Sequence, residues 1–241
     1  MSLDISGFKQ GQKAMWTAGD YPEVARRIVK VGEYLAERAG AARGIELLDA
    51  QRERAAAEGV EVELVEGDAE ALPFDADSFD RVTSCFGVMF APQQKVAADE
   101  LVRVARPGGT IVVAAWTPDG FVGRNFRVTS RFMPAPPPEL KPPVMWGEED
   151  HVRGLFADAG AELAFERRAV PFTGDSAAAF LAQDEEKLGP AVMAKAALEP
   201  QGRWEDLRQE MLAMFEDANE ADDGSFRVDS EYLVTVAHLP G

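Results

Sequence analysis

The chain predicts an α/β fold, a mostly parallel sheet with helices on both faces. The first observation is a β-type run from Asp80, a helical stretch from Gln93 to Ala105 and a second apolar run from Thr110 to Trp116. Strand, helix, strand in this order is the rhythm of a parallel sheet closed by right-handed crossovers. The second is a period of two over Val60 to Val65, where Val60, Val62 and Leu64 alternate with Glu61, Glu63 and Val65, which reads as a half-buried strand. The third is a helical period of apolar residues beginning at Pro22.

From Pro22 to Gly40 the chain reads as one amphipathic helix. Pro suits a first turn, and Val24, Ile28, Val31 and Leu35 recur at steps of three and four. Gly44-Ile45-Glu46-Leu47 is a short apolar piece feeding a helix over Asp49 to Glu58, with Gly59 as its C-cap. The strand that follows ends at Gly67-Asp68 and leads into a loop with Leu72-Pro73-Phe74. After the next strand and helix, Arg106-Pro107-Gly108-Gly109 is expected to stop the helix before the buried strand Thr110 to Trp116.

Beyond Trp116 the composition changes. Pro134 to Pro143 (PAPPPELKPP) fits neither a helix nor a central strand, so it predicts a stiff loop, either a lid or a linker. Glu148 to Ala159 reads as a helix stopped by Gly160, and Leu163 to Phe172 as a strand. Ser176 to Asn219 is mostly helical, with Trp204, Leu207, Met211, Met214 and Phe215 as one apolar stripe that fits a core. Ser230 to Leu239 is the closing strand.

Composition narrows the function. Of 241 residues, 25 are Lys or Arg and 42 are Asp or Glu, a net charge of -17. Such a field repels phosphate backbones and anionic lipid, so nucleic acid and membrane surfaces are not expected partners. Cys85 is the sole cysteine; no internal disulfide can form, and a thiol in an apolar stretch most simply serves packing. The N-terminal run MSLDISGFKQGQKAMW has no apolar signal core, and no uninterrupted apolar run is long enough to span a bilayer. These features predict a soluble, unprocessed cytoplasmic protein.

Two acids suggest a nucleoside site. A carboxylate ending the second strand of a dinucleotide-type fold matches the paired hydroxyls of a ribose, which suits Glu46. An Asp after the next strand can accept from an exocyclic amino group while the following backbone N–H addresses the ring, which suits Asp68 with Ala69. Taken singly, Glu46 also fits an exposed helix-start acid and Asp68 a turn residue after Gly67.

The ordered series Gly67-Asp68-Ala69, Leu72-Pro73-Phe74, Ser78-Phe79-Asp80, Leu101-Val102-Arg103-Val104 and Arg106-Pro107-Gly108-Gly109 resembles the class I S-adenosylmethionine-dependent methyltransferases. Lys13-Ala14-Met15-Trp16, Gly19-Asp20-Tyr21, Phe86 to Phe90 and Trp116-Thr117-Pro118 look like a small-molecule branch of them. The likeness covers most of the chain and thins from Ser176 to Asn219. It implies a Rossmann-like, seven-stranded sheet, with Glu46 ending the second strand, Asp68 following the third and Asp80 starting the fourth. It implies S-adenosylmethionine as cofactor, contacted by Glu46, Leu47, Asp68, Ala69, Cys85 and Trp16. The organisation it implies is a cap over 1–21, a cofactor-binding core over 22–118 and a Pro-rich loop or lid over 119–147. Residues 148–241 then supply a helical insertion and the closing strands of the same sheet.

The resemblance also implies a first strand ending in a glycine-rich turn between the first long helix and Gly44-Ile45-Glu46. Here Leu35 to Ala42 (LAERAGAA) runs into Arg43 almost at once, although a strand, turn and helix need roughly 25 to 30 residues. Either the molecule carries a segment outside this sequence, or a real deletion sits in a rebuilt or swapped fold, or the chain folds differently. A missing central strand would leave an unpaired sheet edge, which gives a reason to expect a homodimer.

The chemistry implied is in-line attack of a substrate oxygen, nitrogen, carbon or sulfur on a sulfonium methyl. Because the leaving group is already excellent, alignment and water exclusion do most of the work, and no fixed catalytic residue or metal is required. His151 and His238 are the titratable candidates for a base, but a first-turn helix position and a strand end fit ordinary structural roles. Trp16, Tyr21, Phe86 to Phe90 and the aromatics and methionines between Phe121 and Trp146 suggest a small apolar substrate. A methyltransferase-like body without cofactor, acting as a binding or dimerisation module, is the competing reading. A nicotinamide dehydrogenase is a third, which nothing after Asp68 supports.

Overall fold

A computed structural model describes residues 5–40 and 65–241. In chain order the helices are α1 (Ile5–Thr17), α2 (Tyr21–Arg26), α3 (Val29–Ala39), α4 (Gln94–Val104), α5 (Phe121–Ser130), α6 (Glu149–Leu155), α7 (Ala177–Lys187), α8 (Gly189–Leu198) and α9 (Trp204–Ala218). The strands are β1 (Phe79–Cys85), β2 (Ala105–Trp116), β3 (Glu162–Gly174) and β4 (Phe226–His238). They form one mixed sheet in the order β1-β2-β4-β3, with β1 parallel to β2 and helices on both sides, a Rossmann-like α/β arrangement. Among the described residues the sheet therefore has four strands rather than the seven implied. The pieces expected at Gly44 to Leu47, Asp49 to Glu58 and Val60 to Leu64, with the junction at Ala42–Arg43, lie outside the described residues. Among those described, no helix is long and apolar enough to cross a membrane.

The chain divides into two compact units, one of residues 30–115, 141–167 and 233–241, the other of residues 1–29, 116–140 and 168–232. In the first, Ile111, Val112, Val113, Ala114 and Ala115 of β2 are all buried, as are Ala97, Ala98, Leu101 and Val104 on one face of α4. Small residues on that helix face let it lie close to the sheet. In the second, Phe121, Phe172, Phe180, Phe215 and Phe226 form one aromatic cluster, with Phe121 and Phe215 at 4.8 Å between ring centres and Phe180 and Phe226 at 4.9 Å. The stripe read from Trp204 to Phe215 is buried along α9 as core.

Two expectations are corrected. The single helix from Pro22 is two, broken at Arg27 and Ile28, whose backbone N–H groups reach only three residues back, to Val24 and Ala25. No Pro or Gly marks the break; Arg27 is drawn aside to the Asp184 carboxylate at 2.6 Å and Gln183 at 3.2 Å, with its guanidinium 4.4 Å from the Phe180 ring. The second concerns Arg106 to Gly109, which begin β2 rather than preceding it. Ala105 already pairs with Phe79, and the register resumes only at Arg81 with Thr110, so the intervening residues bulge. Gly108 adopts φ +73° there, its N–H donates to the Pro240 carbonyl at 2.8 Å, and Leu239 N–H donates to Gly109 at 3.0 Å. The bulge is the seat of the chain's C-terminal segment.

Candidate functional site

In open α/β sheets, ligands sit outside the carboxyl ends of the strands. β1 ends in such a place with a strained turn. Phe86 follows Cys85 with φ +57°, a left-handed conformation that costs a non-glycine residue energy, yet its ring is 5% exposed and its N–H is bound to Ala114 O at 3.0 Å. Ser84 Oγ then accepts the Val88 N–H at 2.9 Å, curling the chain into a short 3₁₀ turn over Val88–Phe90. The strand is thereby stopped sharply, with Cys85 half-buried at its last position.

The Asp68 loop is held against Gln93 and α4. Asp68 is exposed; its Oδ1 accepts the Glu70 N–H at 2.9 Å and its carbonyl accepts the Ala71 N–H at 2.9 Å, which closes a tight Asx-type turn. Glu70 turns inward to 8% exposure, where its two oxygens accept from Gln93 N–H at 2.6 Å and Gln93 Nε2 at 2.9 Å. Leu72 to Phe74 is fastened to α4: Leu72 N–H donates to Glu100 at 2.7 Å, while Arg103 donates to Leu72 O at 3.0 Å, Phe74 O at 2.7 Å and Glu100 at 2.6 Å. The Arg103 guanidinium holds the Glu100 carboxyl below its ordinary value, assisted by the Leu72 N–H and opposed by burial. Gly67 is required here, because a Cβ on it would lie 2.7 Å from Pro73 Cδ.

Of the residues read from sequence, Asp68, half-buried Ala69 and Cys85 fall in this unit, on the segments just described. Glu46 and Leu47 lie outside the described residues. Trp16 is half-buried on α1, a helix with no fully buried residue, in the other unit. His238 Nδ1 meets Thr110 Oγ1 at 3.1 Å at the end of β4, while His151 Nε2 meets Gln94 Oε1 at 2.7 Å. Burial, and then the charge of Lys141, lower the His151 pKa. Sequence reasoning missed Glu70, Gln93 and Gln94, because an acid beside Asp68 and two amides at a helix start read as solvated. The one available signal was the Gln-Gln pair after Pro92, since neighbouring amides at a helix start can bond in two directions. Among the described residues no group of three His, Cys, Asp or Glu side chains is placed to hold a metal.

The loop fits a nucleoside. A carboxylate oxygen accepts more than one hydrogen bond, which is the chemistry an exocyclic amino group calls for. Its backbone is fixed by neighbours rather than left to be ordered on binding.

Residues 28–113 match the family described as Methyltransferase domain. That match, with the fold, supports a class I S-adenosylmethionine-dependent methyltransferase. Its relatives include the uncharacterised proteins Rv1405c and Rv1403c of Mycobacterium tuberculosis. Rv1405c is 38% identical over 177 residues, 61% of this chain and 65% of its own length. Rv1403c is 36% identical over 186 residues, 64% of this chain and 68% of its own. The chain thus spans a little under two thirds of Rv1405c. Among solved structures, YcgJ from Bacillus subtilis shares the fold, with a TM-score of 0.53 at 14% identity over 83% of this chain and 84% of that one.

Proposed function

We propose that this protein transfers a methyl group from S-adenosylmethionine to a small, apolar molecule. The observation that carries the reading is the pairing, within one unit, of a strained buried turn at Phe86 with the locked loop at Asp68 to Glu70. Strain held at a strand's carboxyl end by a buried ring and a backbone bond is the kind that marks ligand sites. Asp68 and Ala69 would address the adenine, and Cys85 would lie along it; Glu46 and Leu47 would take the ribose side. When bound, the cofactor supplies an electrophilic methyl on a good leaving group. The chain's own residues fix the geometry of attack and keep water out, worth several kcal/mol of barrier in well-aligned cases, about 7 to 11 at the upper end.

Titration calorimetry of the full chain with S-adenosylmethionine and with S-adenosylhomocysteine tests the reading. Binding of both is expected, with Asp68→Ala about tenfold weaker, the loss of one hydrogen bond to a charged acceptor. Absence of heat at millimolar ligand, checked by equilibrium dialysis, would overturn it.

A further inference from the structure

Gln94 and His151 carry a geometry that fixes a proton. Gln94 opens α4 at 5% exposure, and its Nε2 lies 3.0 Å from the Pro142 carbonyl oxygen and 3.3 Å from that of Lys141. Carbonyls only accept, so this end of the amide must be the NH2 group. The opposite end, Oε1, faces His151 Nε2 at 2.7 Å and can only accept, so the proton of the imidazole must sit on Nε2. In the neutral ring Nδ1 then carries the lone pair.

The surroundings favour that neutral ring. His151 is half-buried, and burial, followed by the charge of Lys141, disfavours a positive charge on the ring. On α4, Lys95 is engaged by Asp99 at 2.5 Å and Asp158 at 3.1 Å; on α6 itself, Glu149 faces Arg153 at 3.5 Å and Asp150 is exposed. Gln93, the residue before Gln94, is the one that grips Glu70 beside the Asp68 loop. The two adjacent glutamines thus bind the candidate nucleoside loop and the imidazole.

We propose that Gln94 is a positioning residue that holds His151 as its Nε2–H tautomer, making Nδ1 the proton acceptor of the reaction, and that the methyl acceptor carries an ionisable O–H or N–H. This rests on the methyl transfer proposed above. The acceptor's lone pair forms the new bond to the methyl carbon as the carbon–sulfur bond breaks, its electrons staying on sulfur, which becomes a neutral thioether. The proton from O–H or N–H passes to Nδ1, and the resulting imidazolium donates through Nε2 to Gln94.

Nitrogen NMR of the full chain with 15N-labelled histidine rings reads the tautomer without any substrate. The expected result at pH 7 is a His151 ring protonated on Nε2 alone, and a mixture of tautomers in Gln94→Leu. A ring protonated on Nδ1, or an imidazolium at pH 7, overturns the proposal. The second arm uses labelled S-adenosylmethionine with a panel of phenols, arylamines and thiols of similar size. Phenols or arylamines should be methylated in preference to thiols, with kcat falling on the acid side. His151→Asn should lower kcat about a hundredfold and remove that acid limb, while calorimetric S-adenosylhomocysteine binding stays intact. Intact binding with an unchanged pH profile in His151→Asn sinks the inference and leaves methyl transfer standing; lost binding in the unaltered chain sinks methyl transfer itself.

Discussion

In the unit built on β1, the loop from Asp68 to Phe74 is held chiefly by charge-assisted bonds from Glu70, Glu100 and Arg103, with one aromatic contact, Phe74 against Phe79 at 5.0 Å. In the other unit, Phe121, Phe172, Phe180, Phe215 and Phe226 pack ring on ring, and one of its charged pairs, the buried Arg27 with Asp184, lies against that aromatic surface. Both regions pair a carboxylate with an arginine, yet their carboxyls move in opposite directions. Glu100, whose side chain is 17% exposed, is pulled below its ordinary pKa because its bonds to Arg103 outweigh burial. Asp184, at 4% exposure, is pushed up because desolvation outweighs the Arg27 bond. The same residue pair can therefore fasten a loop near water or burden a core, and depth decides which.

The largest expected effect breaks the aromatic side. Phe215→Ala removes a ring with no exposure that touches three others, and should cost about 3–5 kcal/mol. Hydrogen exchange over 177–187 and 204–218 should accelerate; unchanged protection there would show that the cluster repacks. Next, Arg103→Ala removes the donor shared by Leu72, Phe74 and Glu100, with a smaller loss of stability than the aromatic truncation. Its exchange signature should fall on 66–78, and if the phenylalanine-rich segments respond equally, the two regions are not held by separate means.

The smallest effect sharpens the contrast through pH. Glu100 has a lowered folded pKa, so its contribution is present above the unfolded value near 4.5 and is lost as pH falls through the folded one. Asp184 has a raised folded pKa, so its contribution is fullest below the unfolded value near 3.8 and is lost as pH rises through the folded one. Each slope is at most about 1.4 kcal/mol per pH unit. Exchange measured from pH 7 down past 4.5 and 3.8, through the lowered Glu100 value, should show Glu100→Gln flattening a loss of protection on the acid side. Asp184→Asn should flatten a gain. Slopes of the same sign in both regions would contradict the comparison.

Much of the fold was legible because it rests on local periodicity. The run from Gln93 to Ala105 became α4 within a residue at each end, and Gly160, read as a helix stop, adopts φ +61° after Ala159. The motif residues Gly67, Asp68, Leu72 to Phe74 and Arg103 were legible as a series but not as a mechanism. That Arg103 binds the Leu72 and Phe74 carbonyls is a contact across 29 or more positions, invisible to any window. The contact made at the helix break was illegible for the same reason, since the partner of Arg27 there is Asp184, 157 residues away.

By itself, the sequence determined the strand–helix–strand order from β1 to β2, the net acidic charge, and the family signature from Gly67 to Gly109, because each is written in composition or in short-range spacing. Only the tertiary structure decided that Glu70 turns inward, that Phe86 is held in a strained turn at the end of β1, and that Gln94 fixes the proton on His151. Those outcomes depend on which donors and acceptors meet after folding. A buried polar atom must take whatever partner the packed chain offers, and the spacing of letters along the chain does not encode it.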